Sequence, residues 1–376
     1  MRRTLLLFIL LGACAALRAQ TQFTIPPHFR SGVSDTLTQQ VINALDQLLA
    51  GMRHELPDAE LIDTCNAGLH QSFIADLAWN ISSDAVAPVH AQLISLNPID
   101  RNRMLLTLLY SKGDEVRRIV TLLVRSTPRI VFASPLEYNT ATWRRKRIGT
   151  LTFIYPDTID VARAESFERK NVTMAGKLGL PVRHWDVYQC QNYQQILQLQ
   201  GFYYEATSNG LINSGAILDP RTIFTVMGDE DFSHDVLHCY AGAVRGQERN
   251  ANAECGLAYH WGNAYYPDST GKAPSLEQLK PLIQRYLQEN PKADLLALFE
   301  EQAELPASYK LPPSVRLPRV MGGIICQEVE RQKGTAGLIE LLKCGRGNDN
   351  FFLATEKLIG LKRDNFNREF RKIAQH

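Results

Sequence analysis

The sequence predicts an α+β protein in which strands and helices occupy separate stretches of the chain. Strand-like runs of β-branched and aromatic residues occur between residues 104 and 226, and after residue 230 the apolar spacing becomes helical. A sheet half followed by a helical half is typical of α+β folds rather than of parallel doubly wound ones. The length of 376 residues is too great for one ordinary core and predicts two domains.

The first nineteen residues have the pattern of an export signal. Two arginines precede the apolar run Leu5–Leu11, and small residues follow, which favours a signal peptide over a transmembrane helix. Two processing routes remain open: acylation of Cys14 in the lipobox-like Leu11-Gly-Ala-Cys14, or cleavage after Ala19. We therefore expect an extracytoplasmic protein, in the periplasm, anchored at the outer membrane or secreted, with residues 1–19 as its signal peptide.

A small α+β domain is expected over residues 20–147. Apolar residues three and four positions apart predict an amphipathic helix over residues 33–54, capped by Ser34 or Asp35. Lys112-Gly-Asp114 is typical of a hairpin turn. Three strand-like runs surround and follow it, at 104–110, 118–124 and 129–132.

A second domain is expected over residues 148–376, and the basic stretch 143–148 before it is interpreted as a charged linker. A helix is predicted over residues 160–178, closed by Gly179. Strands are predicted at 151–155, 184–188, 202–205 and 222–226. Further helices are predicted at 232–244, 253–260, 275–289, 293–303, 319–333, 335–343, 349–358 and 364–374.

Charge and cysteine usage exclude some classes of function. The net charge of +2, from 41 basic and 39 acidic residues, provides no electrostatic basis for nucleic-acid binding. Of the seven cysteines, six remain when Cys14 is set aside, so disulfides are possible in an oxidising compartment. No CxxC pair occurs in the sequence, which makes a cysteine-rich structural zinc module an unfavourable interpretation.

Two histidines form the most informative motif. His234 and His238 are four residues apart on a predicted helix, so both imidazoles lie on one face and can reach one metal ion. Asp235 follows the first histidine, where a carboxylate can take a proton from water at the metal. A catalytic zinc site needs a third protein ligand, and Glu254, in a helix-compatible run after a turn, can return to the histidines.

This arrangement resembles the gluzincin peptidases, the thermolysin-like and aminopeptidase-like class. In these enzymes a His-Glu-x-x-His helix is followed by a Glu-Gly-x-Ala-type helix that supplies the third ligand. The segment Glu254-Cys-Gly-Leu-Ala258 differs from that second motif by the inserted Cys255. The resemblance covers about residues 150–376. Its C-terminal part is similar to the last helices of the bacterial peptidase-MA-like branch, over residues 320–334, 337–343 and 354–373.

The resemblance implies a thermolysin-like domain in which Zn2+ is held by His234, His238 and Glu254. It also implies that Asp235 is the general base for hydrolysis of a peptide bond. Asp235 stands where the family has glutamate. This exchange withdraws the carboxylate by about 1.5 Å and can cost roughly a hundredfold in rate.

Several neighbouring side chains have simpler interpretations than metal binding. Cys239 and Cys255 flank two predicted ligands, and they are interpreted as buried thiols or as a mutual disulfide. No motif supplies the tyrosine or histidine with which gluzincins stabilise the oxyanion, although Tyr309 and Arg319 lie in the corresponding stretch. The remaining candidates are expected to pack in the core, at the surface or beside the site: His184, His260, Tyr259 and Trp261.

The sequence therefore predicts an exported zinc metallopeptidase that acts on peptides or proteins. A strand at residues 222–226 is expected to hold the extended substrate by edge pairing. The alternative is a catalytically inactive pseudo-peptidase that binds peptides or envelope proteins. A third interpretation is a cell-surface lipoprotein with a vestigial site. Nucleic acid is not expected as a partner. Contact with a membrane is expected only through a lipid anchor at Cys14.

Overall fold

The computed structural model describes residues 23–53, 58–63, 74, 90–208, 215–226, 228–264, 273–301, 309 and 315–375. The predicted signal peptide, Cys14 and Cys65 lie outside these residues. Within them the protein is α+β, as predicted. None of the described helices is both long enough and apolar enough to cross a membrane. Contacts group the chain into two compact units, Met1–Ala141 with Leu197–Leu211 and Thr142–Ile196 with Ile212–His376.

The described residues of the first unit form one mixed sheet and one long helix. Its strands are ordered β1-β2-β3-β4-β5, and β9 pairs antiparallel with β4. Its elements are β1 (Phe23–Thr24), α1 (Asp35–Arg53), a 3-10 turn (Ala59–Leu61), β2 (His90–Pro98), β3 (Arg103–Lys112), β4 (Glu115–Arg125), β5 (Val131–Ala133), α2 (Leu136–Asn139) and β9 (Phe202–Glu205).

Local signals in this unit are confirmed. The Ser34 hydroxyl accepts the Leu37 N–H at 3.3 Å and caps α1. Gly113, with φ +60°, makes the predicted turn between β3 and β4. The predicted strand β9 exists, and its partner is β4, where Arg118 and Glu205 form a buried ion pair. The first unit therefore includes a segment, Leu197–Leu211, that follows residues 142–196 of the second unit in sequence.

The second unit contains a five-stranded sheet and a helical half. Its sheet has the order β10-β11-β8-β7-β6. Its strands are β6 (Arg144–Ile148), β7 (Leu151–Tyr155), β8 (Trp185–Cys190), β10 (Gly215–Asp219) and β11 (Thr222–Val226). Its helices are α3 (Val161–Leu178), α4 (Tyr193–Leu199, which runs on into the first unit), α5 (Ser233–Val244), α6 (Ala251–Trp261), α7 (Leu276–Glu289), α8 (Leu295–Glu300), α9 (Leu317–Leu342), α10 (Asn348–Ile359) and α11 (Phe366–Ile373).

Helix α3 connects the parallel strands β7 and β8 and has the predicted ends. Asp160 accepts the Arg163 N–H at its N-terminus, and Gly179 closes it with φ +66°. The interpretation of residues 143–148 as a linker is wrong, because 144–148 form strand β6, antiparallel to β7. Its exposed lysine and arginines suit an edge strand, where charge discourages pairing with another chain.

The strand at 222–226 exists, but its predicted role as a free edge is wrong. Strand β11 is paired with β10 on one side and with β8 on the other. Its backbone groups are therefore committed to the sheet. Among the described strands, β10 is the edge next to it.

Candidate metal centre

Two helices of the second unit, α5 and α6, supply the candidate site, and polar side chains hold both in place. On α5, the Tyr240 hydroxyl accepts the Arg183 N–H and donates to Asn171 Oδ1, both at 2.8 Å. At the start of α6, the Asn250 side chain accepts the N–H groups of Asn252 and Ala253 at 3.1 Å. The Asn250 amide also donates to two carbonyl groups of the chain after α9, at 2.7 and 2.9 Å. The site therefore rests on anchored helices.

Helix α6 also packs against α9 at unusually close range. A Cβ atom on Gly256 would lie 2.6 Å from the Gly322 carbonyl carbon. One on Gly322 would lie 3.0 Å from the Asn252 carbonyl oxygen. Only residues without a side chain permit this approach. The glycine of the segment Glu254–Ala258 thus sets how α6 is seated on α9.

The two predicted histidine ligands lie together, as their spacing predicts. The His234 and His238 ring centroids are 5.0 Å apart. His234 Nδ1 donates to the Asn263 carbonyl oxygen, and His238 Nδ1 is hydrogen-bonded to Glu254 Oε1, each at 2.8 Å. With both Nδ1 atoms engaged in this way, Nε2 is the nitrogen of each ring that can bind a metal.

A third side chain joins this pair, and it is not the predicted one. His234, His238 and Cys255 offer ligand atoms that all lie within 4.8 Å of one another, a group that could hold a metal ion. Imidazole nitrogen and thiolate sulfur are donors that suit zinc and other borderline or soft transition metals. The donor chemistry therefore fits the expected cation. The adjacent Glu254 is near but does not belong to this group of three.

Glu254 is instead enclosed by nitrogen donors. Its Oε1 lies 2.8 Å from both His238 Nδ1 and Arg249 Nε, and its Oε2 lies 3.0 Å from Arg245 Nε. The carboxylate is only 2% exposed. Arg249 also reaches the neighbouring thiol, with Nη2 at 3.5 Å from Cys255 Sγ. The prediction that Glu254 is a metal ligand stays a prediction.

The electrostatics of the cluster favour an ionised thiol beside a charged ring. Burial alone would raise the pKa of Cys255, but hydrogen bonds with His234 and His238 bring it down to about 5. For His238, burial lowers the pKa, yet the hydrogen bonds with Cys255 and Glu254 outweigh it and raise the pKa to about 9. Burial also opposes the charge of Glu254, but the His238 hydrogen bond and the nearby arginines hold its pKa below the usual value.

Asp235, the predicted general base, lies in the same buried region. Its Oδ2 atom is buried and has no hydrogen-bond partner in the described part of the chain. Burial raises its pKa, although the charges of His234 and His238 oppose that rise. The structure thus places all four sequence-predicted residues in one neighbourhood, with His234 and His238 in the group that could hold a metal ion.

The loop before α5 is acidic and is balanced by cations of α3. Residues 229–231 are all buried. Lys170 Nζ lies 2.7 Å from Asp231 Oδ2, and Arg163 Nε lies 3.3 Å from Glu230 Oε2. The Asn263 side-chain amide donates to the Asp231 carbonyl oxygen at 2.6 Å. Asn263 therefore ties this loop to the end of α6 while its own carbonyl group holds His234.

Sequence reasoning missed three contributors to this site. Cys255 had a signal, since it interrupts the Glu-Gly spacing of the second motif, but it was interpreted as a buried thiol or as half of a disulfide. Gly262 and Asn263 follow α6 without any motif. A Cβ atom on Gly262 would lie 3.2 Å from the His234 backbone nitrogen, so this glycine lets the end of α6 approach the start of α5.

The other side chains singled out in the sequence have defined surroundings. Of the two interpretations of Cys239 and Cys255, the mutual disulfide is wrong, because both are free thiols, and both are half-buried rather than buried; Cys190, Cys326 and Cys344 are free as well. Tyr259 packs edge-on against His234, with centroids 5.5 Å apart. His260 and Trp261 bind Glu330, Tyr309 binds Glu289 and Asn290, and Arg319 donates to Asn252 Oδ1.

No family model matches this chain, and no curated protein matches it either.

Proposed function

We propose that this protein is an exported, zinc-dependent hydrolase of peptide bonds with a gluzincin-like domain. The observation that supports it most directly is the orientation of the two histidines. His234 and His238 each have an oxygen acceptor at Nδ1, which orients the opposite edge of both rings, with Nε2, toward the group they form with Cys255. Such second partners fix the tautomer and orientation of metal-binding histidines in known sites.

The thermolysin-like fold is part of this proposal. Its support is the order of elements, with a sheet first, then the histidine helix α5, a reversing loop, α6 and, after α7 and α8, the helix α9, which is broken at Gly334. The resemblance of residues 150–376 to the gluzincin peptidases supports it further. The proposal that the protein is exported rests on the pattern of residues 1–19 alone. The substrate is accordingly a peptide or protein outside the cytoplasm.

Zinc bound at this site would supply Lewis-acid chemistry: it would polarise a substrate carbonyl group and make water more acidic. The chain provides the remaining functions. Asp235, with its buried Oδ2 atom and no described hydrogen-bond partner, takes a proton from the attacking water and returns it to the leaving amine. Glu254 and the Asn263 carbonyl group hold the two imidazoles in place.

Strand β10 is the described element best suited to hold an extended substrate. It is one of the two edge strands of its sheet, the other being β6, among the described strands. Its first residue, Gly215, packs so closely on Phe232 that a Cβ atom there would lie 2.8 Å from the ring. Since Phe232 directly precedes α5, a peptide added to β10 as another strand would run toward the histidines.

A second function has its own specific observation. Glu254 binds His238 Nδ1, and His238 lies beside Cys255, which is the order of acid, base and nucleophile in a cysteine hydrolase. That mechanism leaves Asp235 without a role. Activity that resists chelators but is abolished by iodoacetamide would favour it over the zinc enzyme.

The deciding experiment measures zinc and cleavage together. Elemental analysis of the purified mature protein is expected to give about one zinc per chain, and a peptide library followed by mass spectrometry is expected to show cleavage. Both are expected to be lost in His238→Ala, which removes a ligand, and retained in His184→Ala, because His184 is exposed and outside the group.

Three results would contradict the proposal in different ways. Protein that takes up no zinc even from an excess cannot be the enzyme proposed. Zinc without cleavage of any library peptide would identify a binding protein derived from a peptidase. Zinc bound equally by His238→Ala would place the metal elsewhere.

A further inference from the structure

We infer that the third protein ligand of this centre is the Cys255 thiolate, and that Glu254 is a positioning residue for His238. This inference rests on the proposed function, because it concerns the same cation. It exchanges the roles that the sequence suggests for two adjacent residues of α6. The outcome is a His2Cys centre in place of a His2Glu one.

Distance separates the two candidates. Cys255 Sγ and one nitrogen from each of His234 and His238 lie within 4.8 Å of one another, and no carboxylate completes such a group with these histidines in the described part of the chain. Small side-chain adjustments can bring each of these three atoms to about 2.0–2.3 Å from a central zinc ion, the usual length of its bonds to nitrogen and sulfur. Glu254 approaches His238 at Nδ1, the nitrogen on the other side of the ring from Nε2.

The partners of Glu254 argue against its release to a metal. Glu254 Oε1 is hydrogen-bonded to His238 and ion-paired with Arg249, and Oε2 is ion-paired with Arg245 at 3.0 Å but has no hydrogen-bond partner in the described part of the chain. Turning the carboxylate toward a metal would take the acceptor from the His238 imidazole N–H and the counter-ion from two guanidinium groups. A group that is 2% exposed has little water to replace those bonds.

The position of Glu254 is instead that of a carboxylate that supports a metal-binding histidine. A carboxylate hydrogen-bonded to the far nitrogen of a ligand imidazole fixes its tautomer and raises its basicity. Glu254 does this for His238, and the Asn263 carbonyl group does the same for His234. Two imidazoles with such partners and one thiolate leave a fourth position open, as catalytic zinc sites require.

The positive charge of Arg249 balances the negative charge of the Cys255 thiolate when no cation is bound. Its Nη2 lies 3.5 Å from Cys255 Sγ and within 3.5 Å of both His238 ring nitrogens. Its side chain is 45% exposed, so the guanidinium can move toward solvent when a cation arrives. Arg245, which is less exposed, stays with Glu254.

Cobalt substitution distinguishes sulfur from oxygen ligation directly. The full mature protein, reduced and kept free of oxygen, is titrated with Co2+, and stoichiometry and electronic spectrum are recorded. We expect one cobalt per chain with a sulfur-to-cobalt charge-transfer band in the near ultraviolet. Cys255→Ser is expected to lose the band. Glu254→Gln is expected to keep it while binding cobalt about 10- to 100-fold more weakly.

Cys239→Ser is the matched control, because this free thiol follows His238 directly; it should retain the band. Cobalt bound by wild-type protein without a charge-transfer band would overturn the inference and leave the proposed function intact. Loss of the band in Cys239→Ser would overturn it too. Protein that binds neither cobalt nor zinc would overturn both. Circular dichroism detects a variant that fails to fold. The wild-type spectrum by itself still decides whether a sulfur atom is a ligand.

Discussion

Asp235 is the residue on which the proposed hydrolysis depends most directly. It lies next to His234 in sequence, and its Oδ2 atom is buried without a described hydrogen-bond partner. A buried carboxylate in that state is unfavourable unless something else uses it. Proton transfer at the neighbouring metal centre would give it such a use. The shorter side chain, relative to the glutamate of gluzincins, makes this a direct question for mutation.

Asp235→Asn is expected to lower kcat for peptide cleavage by about 10²–10⁴-fold, because the amide cannot accept the proton. Zinc stoichiometry should stay at the wild-type value, since Asp235 is outside the metal-binding group. Asp235→Glu keeps a carboxylate at this position and should therefore retain activity. Asp229→Asn is the control, as Asp229 is another buried acid with an unpartnered oxygen. Equal loss in both asparagine variants would mean that folding, rather than proton transfer, is affected.

The histidine pair could be predicted from sequence, whereas the thiol that completes the group with it could not. Residues four apart on a helix always share a face, so His234 and His238 needed no tertiary information. Glu254 and Cys255 are consecutive, so their side chains point about 100° apart around α6. Which of them faces the histidines depends on how α6 is rotated in the fold. That rotation is decided by packing contacts far away in sequence.

The contact that seats α6 is its close approach to α9. Gly256 and Gly322 meet backbone to backbone; a methyl group has no space at Gly256 and would be tight at Gly322. Because Gly256 lies one and two residues after Cys255 and Glu254, a shift at this contact moves both side chains. The seating of one helix on another therefore controls the geometry of the site.

Gly256→Ala is expected to lower the free energy of unfolding by about 1–3 kcal/mol, because the added Cβ forces α6 away from α9. Weaker zinc binding should accompany it. Gly242→Ala is the matched control, since a Cβ there has no neighbour within 4 Å, and better helix propensity should stabilise it by up to about 1 kcal/mol. Urea unfolding measures the stability of each variant, and zinc titration measures its affinity for zinc. Similar stability for the two variants would contradict the packing argument.

At the level of elements, errors arose where tertiary pairing overrides local pattern. The helices with clear 3.6-residue spacing lie close to the predicted positions. Residues 144–148 look like a linker because four of five are basic, yet they form strand β6 at a sheet edge. The pattern of residues 222–226 predicts strand β11, but it does not predict that β11 pairs with β10 and β8. Local sequence reports the propensity of a strand and says little about its position in the sheet.

In the whole molecule, the first unit is discontinuous in sequence. Its sheet includes β9, which follows β6, β7, α3 and β8 of the second unit. Strand β9 brings Glu205 to the buried Arg118 and occupies the β4 edge at residues 118–120. A single boundary, such as the predicted one at 147–148, cannot describe this organisation, because sequence order alone does not reveal a returning strand.

A fragment of residues 20–147 is expected to be less stable than the first unit of the intact protein and to self-associate. It lacks β9, so Arg118 is buried without Glu205 and a strand edge is open. A peptide of residues 197–211 should reduce association, measured by size-exclusion chromatography. The same peptide with Glu205→Ala is the control. A monomeric fragment that unfolds cooperatively and ignores the peptide would show that β9 is dispensable.

The discontinuity of the first unit also has a consequence in time during synthesis. A ribosome delivers β1–β5 first and must then add residues 142–196 before β9 emerges. At about 5–20 residues per second this takes roughly three to ten seconds. Throughout that interval the nascent sheet has an unfilled edge, which is a site for pairing with another nascent chain. Holding the first unit unfolded until translation has passed β9 would remove this hazard.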